Sequence, residues 1–125
     1  AQLSSPTMRI PIQYALSYPK RLINSHMNFD FINNNKFSFE AVDYNKFRCI
    51  KLAYDAGIKG GTYTTVLNVA NDLAVDLFLE NKIKFLDIEK IIEESLNQHS
   101  SKSNPSIDDI KETIKDTENY IENYK

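Results

Sequence analysis

Few residues in this sequence are of types and spacings that could do chemistry. Its two histidines, His26 and His99, lie far apart in polar, loop-like stretches, and neither has a second histidine one helical turn away. A zinc site needs three or four convergent ligands, so both read as loop positions rather than ligands. The single cysteine, Cys49, excludes an internal disulfide, a CxxC redox pair and a Cys-based zinc site, and it fits a reducing, intracellular compartment. Placed on a helix two residues from Phe47, it reads as buried apolar filler rather than a nucleophile. Gly57-Ile58-Lys59-Gly60-Gly61-Thr62 could suggest a phosphate loop. It lacks the Gly-Lys-Ser/Thr ending and follows a helix rather than a strand, which favours a glycine turn between two helices. Carboxylates such as Glu93-Glu94 and Asp108-Asp109 fall on faces where they solvate helices and favour helix starts. No pair of them stands out for acid/base work.

Asn71 is the most informative polar residue. It shares a helical stripe with Leu67, Ala74 and Phe78, which points it inward. A buried amide needs partners, so Asn71, with Asn68 or Asp72 beside it, is expected to clamp a neighbouring segment onto its helix rather than to touch a ligand.

The elements that would position these residues fall into two textures. Of 125 residues, those up to about 46 hold three of the four prolines, an Asn33-Asn34-Asn35 run and closely spaced aromatics. Ile10 to Leu16 can form a short helix with Pro11 in its first turn, stopped by Pro19. Lys36 to Val42 alternates Phe37, Phe39 and Ala41 against Lys36, Ser38 and Glu40, the pattern of a half-buried strand. Its sheet partners would have to lie elsewhere.

From residue 47 the periodicity predicts four helices. The first runs from Phe47 to Ala56, with Phe47, Ile50 and Tyr54 on one stripe and Gly57 as its cap. The second starts at Thr64 or Thr65 and runs to about Asn81; it is apolar around most of its circumference and so central. In the third, Asp87 caps a helix that turns Ile88, Ile91, Ile92 and Leu96 inward. The fourth is opened by Ser106 with Asp109 in a capping box, and carries Ile107, Ile110, Ile114, Ile121 and Tyr124 as its stripe. The fold class is therefore mainly α: a four-helix bundle over 47–125, preceded over 1–46 by a linker with a short helix and one β-strand.

Composition narrows the remaining classes. Hydrophobic residues at 42% and charged residues at 26% argue against wholesale disorder and suit one compact domain. A net charge of -2 and a pI near 5.7 give no general pull toward nucleic acid or anionic lipid. No apolar run approaches the ~20 residues that cross a bilayer. The start, Ala1-Gln2-Leu3-Ser4-Ser5-Pro6, has neither an initiating Met nor the layout of a signal peptide, so it reads as the edge of a fragment.

Two blocks carry a resemblance. Pro6-Thr7-Met8-Arg9-Ile10-Pro11-Ile12-Gln13-Tyr14-Ala15-Leu16-Ser17-Tyr18-Pro19-Lys20-Arg21 resembles the Pro-Asp-Met-Arg-x-Pro-Ile-x-x-Ala-x-x-Tyr/Trp-Pro-x-Arg segment of 1-deoxy-D-xylulose 5-phosphate reductoisomerases. A second block is similar as well: Cys49, Leu52-Ala53, Ala56-Gly57, Gly60-Gly61-Thr62, Val66-Leu67-Asn68, Ala70-Asn71, Ala74-Val75, Phe78-Leu79, Ile83, Phe85 and Asp87-Ile88. The departures are Thr7 where the family usually has Asp, Arg48 and Thr64 where Pro is common, and Asp72 where Glu is usual.

The resemblance implies the C-terminal part of an NADPH-dependent enzyme that uses Mg²⁺ or Mn²⁺. That enzyme turns 1-deoxy-D-xylulose 5-phosphate into 2-C-methyl-D-erythritol 4-phosphate in non-mevalonate isoprenoid synthesis, and is expected as a homodimer. It also implies that the dinucleotide fold, metal ligands and phosphate-binding residues precede this stretch, leaving it no catalytic or metal residue. Pro6 and Met8 would correspond to apolar walls of the substrate and nicotinamide pocket. The partners implied are the upstream NADPH-binding and catalytic domains and a phosphorylated sugar, with no nucleic acid or membrane. The Asn- and Lys-rich character resembles proteins of plastid-bearing parasites, which implies a relic plastid; otherwise a bacterial cytoplasm is expected. The alternatives are a stand-alone helical interaction module and a small enzyme using Cys49 or His99.

Overall fold

The computed structural model describes residues 6–23 and 29–124, so His26 lies outside the described residues. The chain divides into one unit that reaches to Glu40 and a second that begins at Ala41. The sequence had suggested a division after residue 46.

In the first unit, α1 spans Arg9–Ser17. Pro11 sits in its first turn, where backbone N–H groups have no intrahelical acceptor, so its missing donor costs nothing. The helix ends where Tyr18, preceding Pro19, turns extended. Arg21 places its guanidinium 4.3 Å from the Tyr14 ring centroid. Beyond it, the Asp30 carboxylate accepts from the backbone N–H groups of Ile32 and Asn33, which folds a turn and holds its carboxyl below the usual range. Phe29 packs edge-on against Phe31 with centroids 4.8 Å apart.

The strand expected over Lys36 to Val42 is not formed: no β-strand occurs among the described residues. Strand backbone is stable only when its N–H and C=O groups are paired on a neighbour, and the described residues offer none. Phe39 accordingly stands 79% exposed.

The second unit holds α2 Arg48–Lys59, α3 Tyr63–Leu79, α4 Phe85–Gln98 and α5 Ile107–Glu122. The expected four-helix set is present, with shifted ends. Gly57 lies inside α2 rather than capping it. Gly60, at φ 66°, takes the cap and donates its N–H to Ala56 at 2.9 Å. α3 begins at Tyr63, one or two residues ahead of the expected Thr64 or Thr65. α4 begins at Phe85, and Asp87 sits in its first turn, accepting the Lys84 N–H at 2.9 Å. The Ser106–Asp109 capping box at the start of α5 forms as read from sequence.

α3 is the central element, packed against α2, α4 and α5. Val66, Ala70 and Ala74 recur every fourth residue and are fully buried. Their small side chains let the neighbouring helices approach, and Ile88, Ile91, Ile92 and Leu96 of α4 fill the space with Ile121 of α5. On α5 the buried stripe is rotated from the expected one. Thr113 and Thr117 are buried, whereas Ile107 is 72% exposed. Each threonine hydroxyl donates 2.8 Å to the carbonyl four residues back, leaving the methyl to pack.

Two ionic ties brace the helices. Arg48 of α2 reaches Glu93 of α4 at 2.6 Å and Glu89 at 3.4 Å. Lys102 holds Asp109 at 2.6 Å and Glu112 at 2.9 Å, which pushes the Asp109 carboxyl well below its ordinary range.

Candidate functional site

Gly60 and Gly61 turn the chain from α2 into α3 with both φ angles positive. Gly61 lies so close to the loop between α4 and α5 that a Cβ there would stand 2.3 Å from the Lys102 carbonyl oxygen. This close approach delivers the Thr62 hydroxyl to the same loop. Thr62 Oγ1 lies 2.6 Å from His99 Nε2 and accepts the Lys102 backbone N–H at 3.1 Å, while the Thr62 N–H donates to the Lys102 carbonyl at 3.3 Å.

A hydroxyl this near an imidazole has the spacing of a nucleophile and its base. Thr62 is 0% exposed and its oxygen is already engaged by the Lys102 amide, so no reacting group can approach it. The pair is a clamp between two turns. Tyr63 packs edge-on against the His99 ring at 5.5 Å. Burial pushes the His99 imidazole below its ordinary value, opposed by the charge of Asp116. Sequence reading had set His99 aside as a loop residue and missed its partner. Thr62 carries no signal beyond following two glycines.

Beside this clamp a groove of about 350 Å³ runs between α4 and α5, with Ser95, His99, Lys102, Asp116 and Tyr120 among its walls. Among the described residues, the buried Ser95 Oγ has no hydrogen-bond partner. Lys102 is committed to Asp109 and Glu112, and the groove presents no nucleophile beside a base. Cys49 is exposed rather than buried filler. Partial burial and the charge of Glu89 push its thiol upward, which disfavours the thiolate a nucleophile requires.

Asn71, expected to point inward, lies on the exposed face of α3, where its amide donates to Asp72 at 3.4 Å. Asn68 and Asp72 are exposed as well, so within this chain none of the three clamps a buried segment. The inward side of α3 is taken by its alanines and Val66, which leaves Asn71 on the far side of the helix. Pro6 is exposed, and Met8, 69% exposed, occupies the position ahead of α1. Among the described residues, no three His, Cys, Asp or Glu side chains are grouped to hold a metal ion. No helix among the described residues is long and apolar enough to cross a membrane.

Comparison with known proteins places this architecture. Residues 3–120 match the family model described as the DXP reductoisomerase C-terminal domain. The 1-deoxy-D-xylulose 5-phosphate reductoisomerase of Chloroherpeton thalassium is 47% identical over 121 residues, covering 97% of this chain and 31% of that protein. The enzyme of the same name from Shouchella clausii is 53% identical over 111 residues, covering 88% and 29%. The structure of the Zymomonas mobilis reductoisomerase in complex with NADPH superposes with a TM-score of 0.76 at 36% identity, covering 99% of this chain and 34% of that one. The chain thus spans about a third of the length of the relatives it matches. With the helical bundle, the family model and these identities in agreement, the chain belongs to the DXP reductoisomerase C-terminal domain family.

Proposed function

We propose that this chain is the C-terminal part of an enzyme that converts 1-deoxy-D-xylulose 5-phosphate to 2-C-methyl-D-erythritol 4-phosphate with NADPH, and that it mainly scaffolds the active site. The family match over residues 3–120 carries the reading. The NADPH named for the Zymomonas mobilis structure supports the cofactor. The reductoisomerase name shared by the relatives supports the phosphorylated sugar substrate.

The dinucleotide and a Mg²⁺ or Mn²⁺ ion would be held by residues outside this chain. In support, the three glycines do not form a G-x-G-x-x-G motif. What the chain gives the chemistry is apolar wall and support. Pro6 and Met8 would line the substrate and nicotinamide pocket, where a flexible thioether can close over a ring and exclude water. Met8 is exposed and available for that contact. The bundle would brace the catalytic and dinucleotide-binding domains, and the whole enzyme would work as a homodimer. Its Asn- and Lys-rich composition favours a relic plastid as location if the source is a plastid-bearing parasite, and a bacterial cytoplasm otherwise.

The test is turnover by the full-length polypeptide. NADPH consumption should require 1-deoxy-D-xylulose 5-phosphate and either Mg²⁺ or Mn²⁺ together. A folded full-length protein that oxidises no NADPH with substrate and either ion would overturn the reading.

A further inference from the structure

The groove between α4 and α5 has an unmet polar group in its lining. Ser95 of α4 is 5% exposed and belongs to that lining, and its hydroxyl has no hydrogen-bond partner among the described residues. A buried hydroxyl left unbonded opposes folding, so its place beside Ile91, Ile92 and Leu96 needs another reason. On the α5 side, Thr113 and Thr117 are buried too. Both direct their hydroxyl hydrogens to the carbonyl four residues back, which leaves each oxygen able to accept. Next to this row, Glu112, Asp116 and Tyr120 recur every fourth residue along α5 and so share one face. The two outer members are bridged to the opposite wall. Lys102 holds Glu112 at 2.9 Å, and Gln98 donates to the Tyr120 hydroxyl at 2.9 Å. Asp116, the middle member, has no ion pair among the described residues. Burial pushes the His99 ring toward its uncharged form, so Asp116 gains no fixed counter-charge there.

We propose that this groove binds a small organic cation of the alkylammonium class, with its ammonium on Asp116 between the two bridges and the Ser95 hydroxyl beneath. The charge follows from the walls. Their one lysine is divided between Glu112 and Asp109, so the groove carries an unbalanced carboxylate. An ammonium has donors and no acceptor, which suits a lining of carboxylate and hydroxyl oxygens. The carbon chain has the Tyr120 ring to lie along. A volume of about 350 Å³ falls at the small end of the range for small-molecule sites. The rims are Gln98, Lys102 and Glu112 rather than the large aromatic anchors that hold a protein partner, so the occupant is a free small molecule. The inference goes beyond the catalytic reading and does not rest on it, since every group it uses lies in this chain.

The test is isothermal titration of the full-length protein with 1,4-diaminobutane, at about 0.15 M salt so that loose attraction to surface carboxylates is screened. Saturable binding is expected, and none of 1,4-butanediol, which has the same chain without the charge. Asp116→Asn should weaken binding about tenfold or more, because a hydrogen bond to a charged group is lost. Glu118→Gln makes the same charge change at an exposed position on the opposite side of α5 and should leave binding unchanged. Ser95→Ala should weaken binding about threefold or more. Its melting temperature should stay at or above the parent's, since the fold loses no hydrogen bond. No saturable heat with the diamine, equal binding of the diol, or an Asp116→Asn protein that binds like the parent would overturn the proposal. So would equal weakening by Glu118→Gln, which would show general attraction to an acidic surface. A Ser95→Ala protein that binds like the parent and melts lower would overturn it as well, by returning the hydroxyl to the fold. Turnover enters none of these readouts, so failure of the enzymatic reading would leave the result standing.

Discussion

Replacing Thr62 by valine exchanges one hydroxyl for one methyl at a position with no exposure at all. By volume and hydrophobicity alone the change should be neutral or stabilising. The hydrogen bonds argue the opposite. Thr62 Oγ1 accepts the Lys102 backbone N–H and pairs with His99 Nε2, and valine strands both. A stranded polar group costs ~1–3 kcal/mol; because His99 and Lys102 are each partly reachable by water, the low end applies to both. The added methyl returns up to ~1 kcal/mol. The net expectation for Thr62→Val is a loss of about 1–2 kcal/mol, and a urea slope of ~1–2 kcal/mol/M turns that into a midpoint lower by ~0.5–2 M. Thr62→Ser keeps the hydroxyl and loses one buried methyl, for about 1 kcal/mol. Equilibrium urea unfolding of this chain, followed by far-ultraviolet circular dichroism at neutral pH, orders the three proteins. A Thr62→Val midpoint at or above the parent, with Ser below both, would show that packing rather than the polar clamp holds the turns together.

Three further outcomes follow from the same structure. His99 has its pKa lowered from 6.5 by burial. Between that value and the lower folded one the unfolded chain binds the extra proton, so its contribution is complete above pH 6.5 and is lost as pH falls through the folded value. His99→Gln should flatten that part of a stability–pH curve, and an unchanged slope would refute it. Asp87 and Asp109 act in a separate, more acid window, since both are held below 3.8 by hydrogen bonds. Asn71→Leu should change the stability of this chain by no more than ~0.5 kcal/mol, as for other exposed positions. A drop of ~1–3 kcal/mol in urea unfolding would restore the buried placement expected from sequence. Met8→Ala in the full-length enzyme should lower NADPH-dependent turnover while moving the melting temperature little; unchanged kinetics would remove Met8 from the pocket wall.

What could be read from sequence follows a physical line. Ile88, Ile91, Ile92 and Leu96 were legible because α4 has one apolar stripe, and all four are buried. Ser106 and Asp109 were legible because a capping box is local chemistry. Asn71 was misplaced because α3 is apolar nearly all round, so periodicity alone cannot say which side faces the neighbours. Phe47, Ile50 and Tyr54 were read as one stripe, and they stand exposed, because an apolar stripe on α2 marks surface that wants cover, not where the cover comes from. Thr113 and Thr117 look polar in sequence and pack as small apolar groups once their hydroxyls return to the helix backbone. The Thr62–His99 clamp depends on two distant turns meeting, and no local pattern announces that. The strand over Lys36 to Val42 is a statement about alternation, and pairing needs a partner strand as well.

The most direct measurement is complementation. The upstream portion of the enzyme would be produced alone and together with this chain, and NADPH oxidation followed with 1-deoxy-D-xylulose 5-phosphate and Mg²⁺. A supporting bundle predicts little turnover from the upstream portion alone and recovery on adding this chain, undiminished by Cys49→Ser. Full turnover without this chain, or none in a well-folded complex with it, would contradict the assignment of the bundle as the support of the active site.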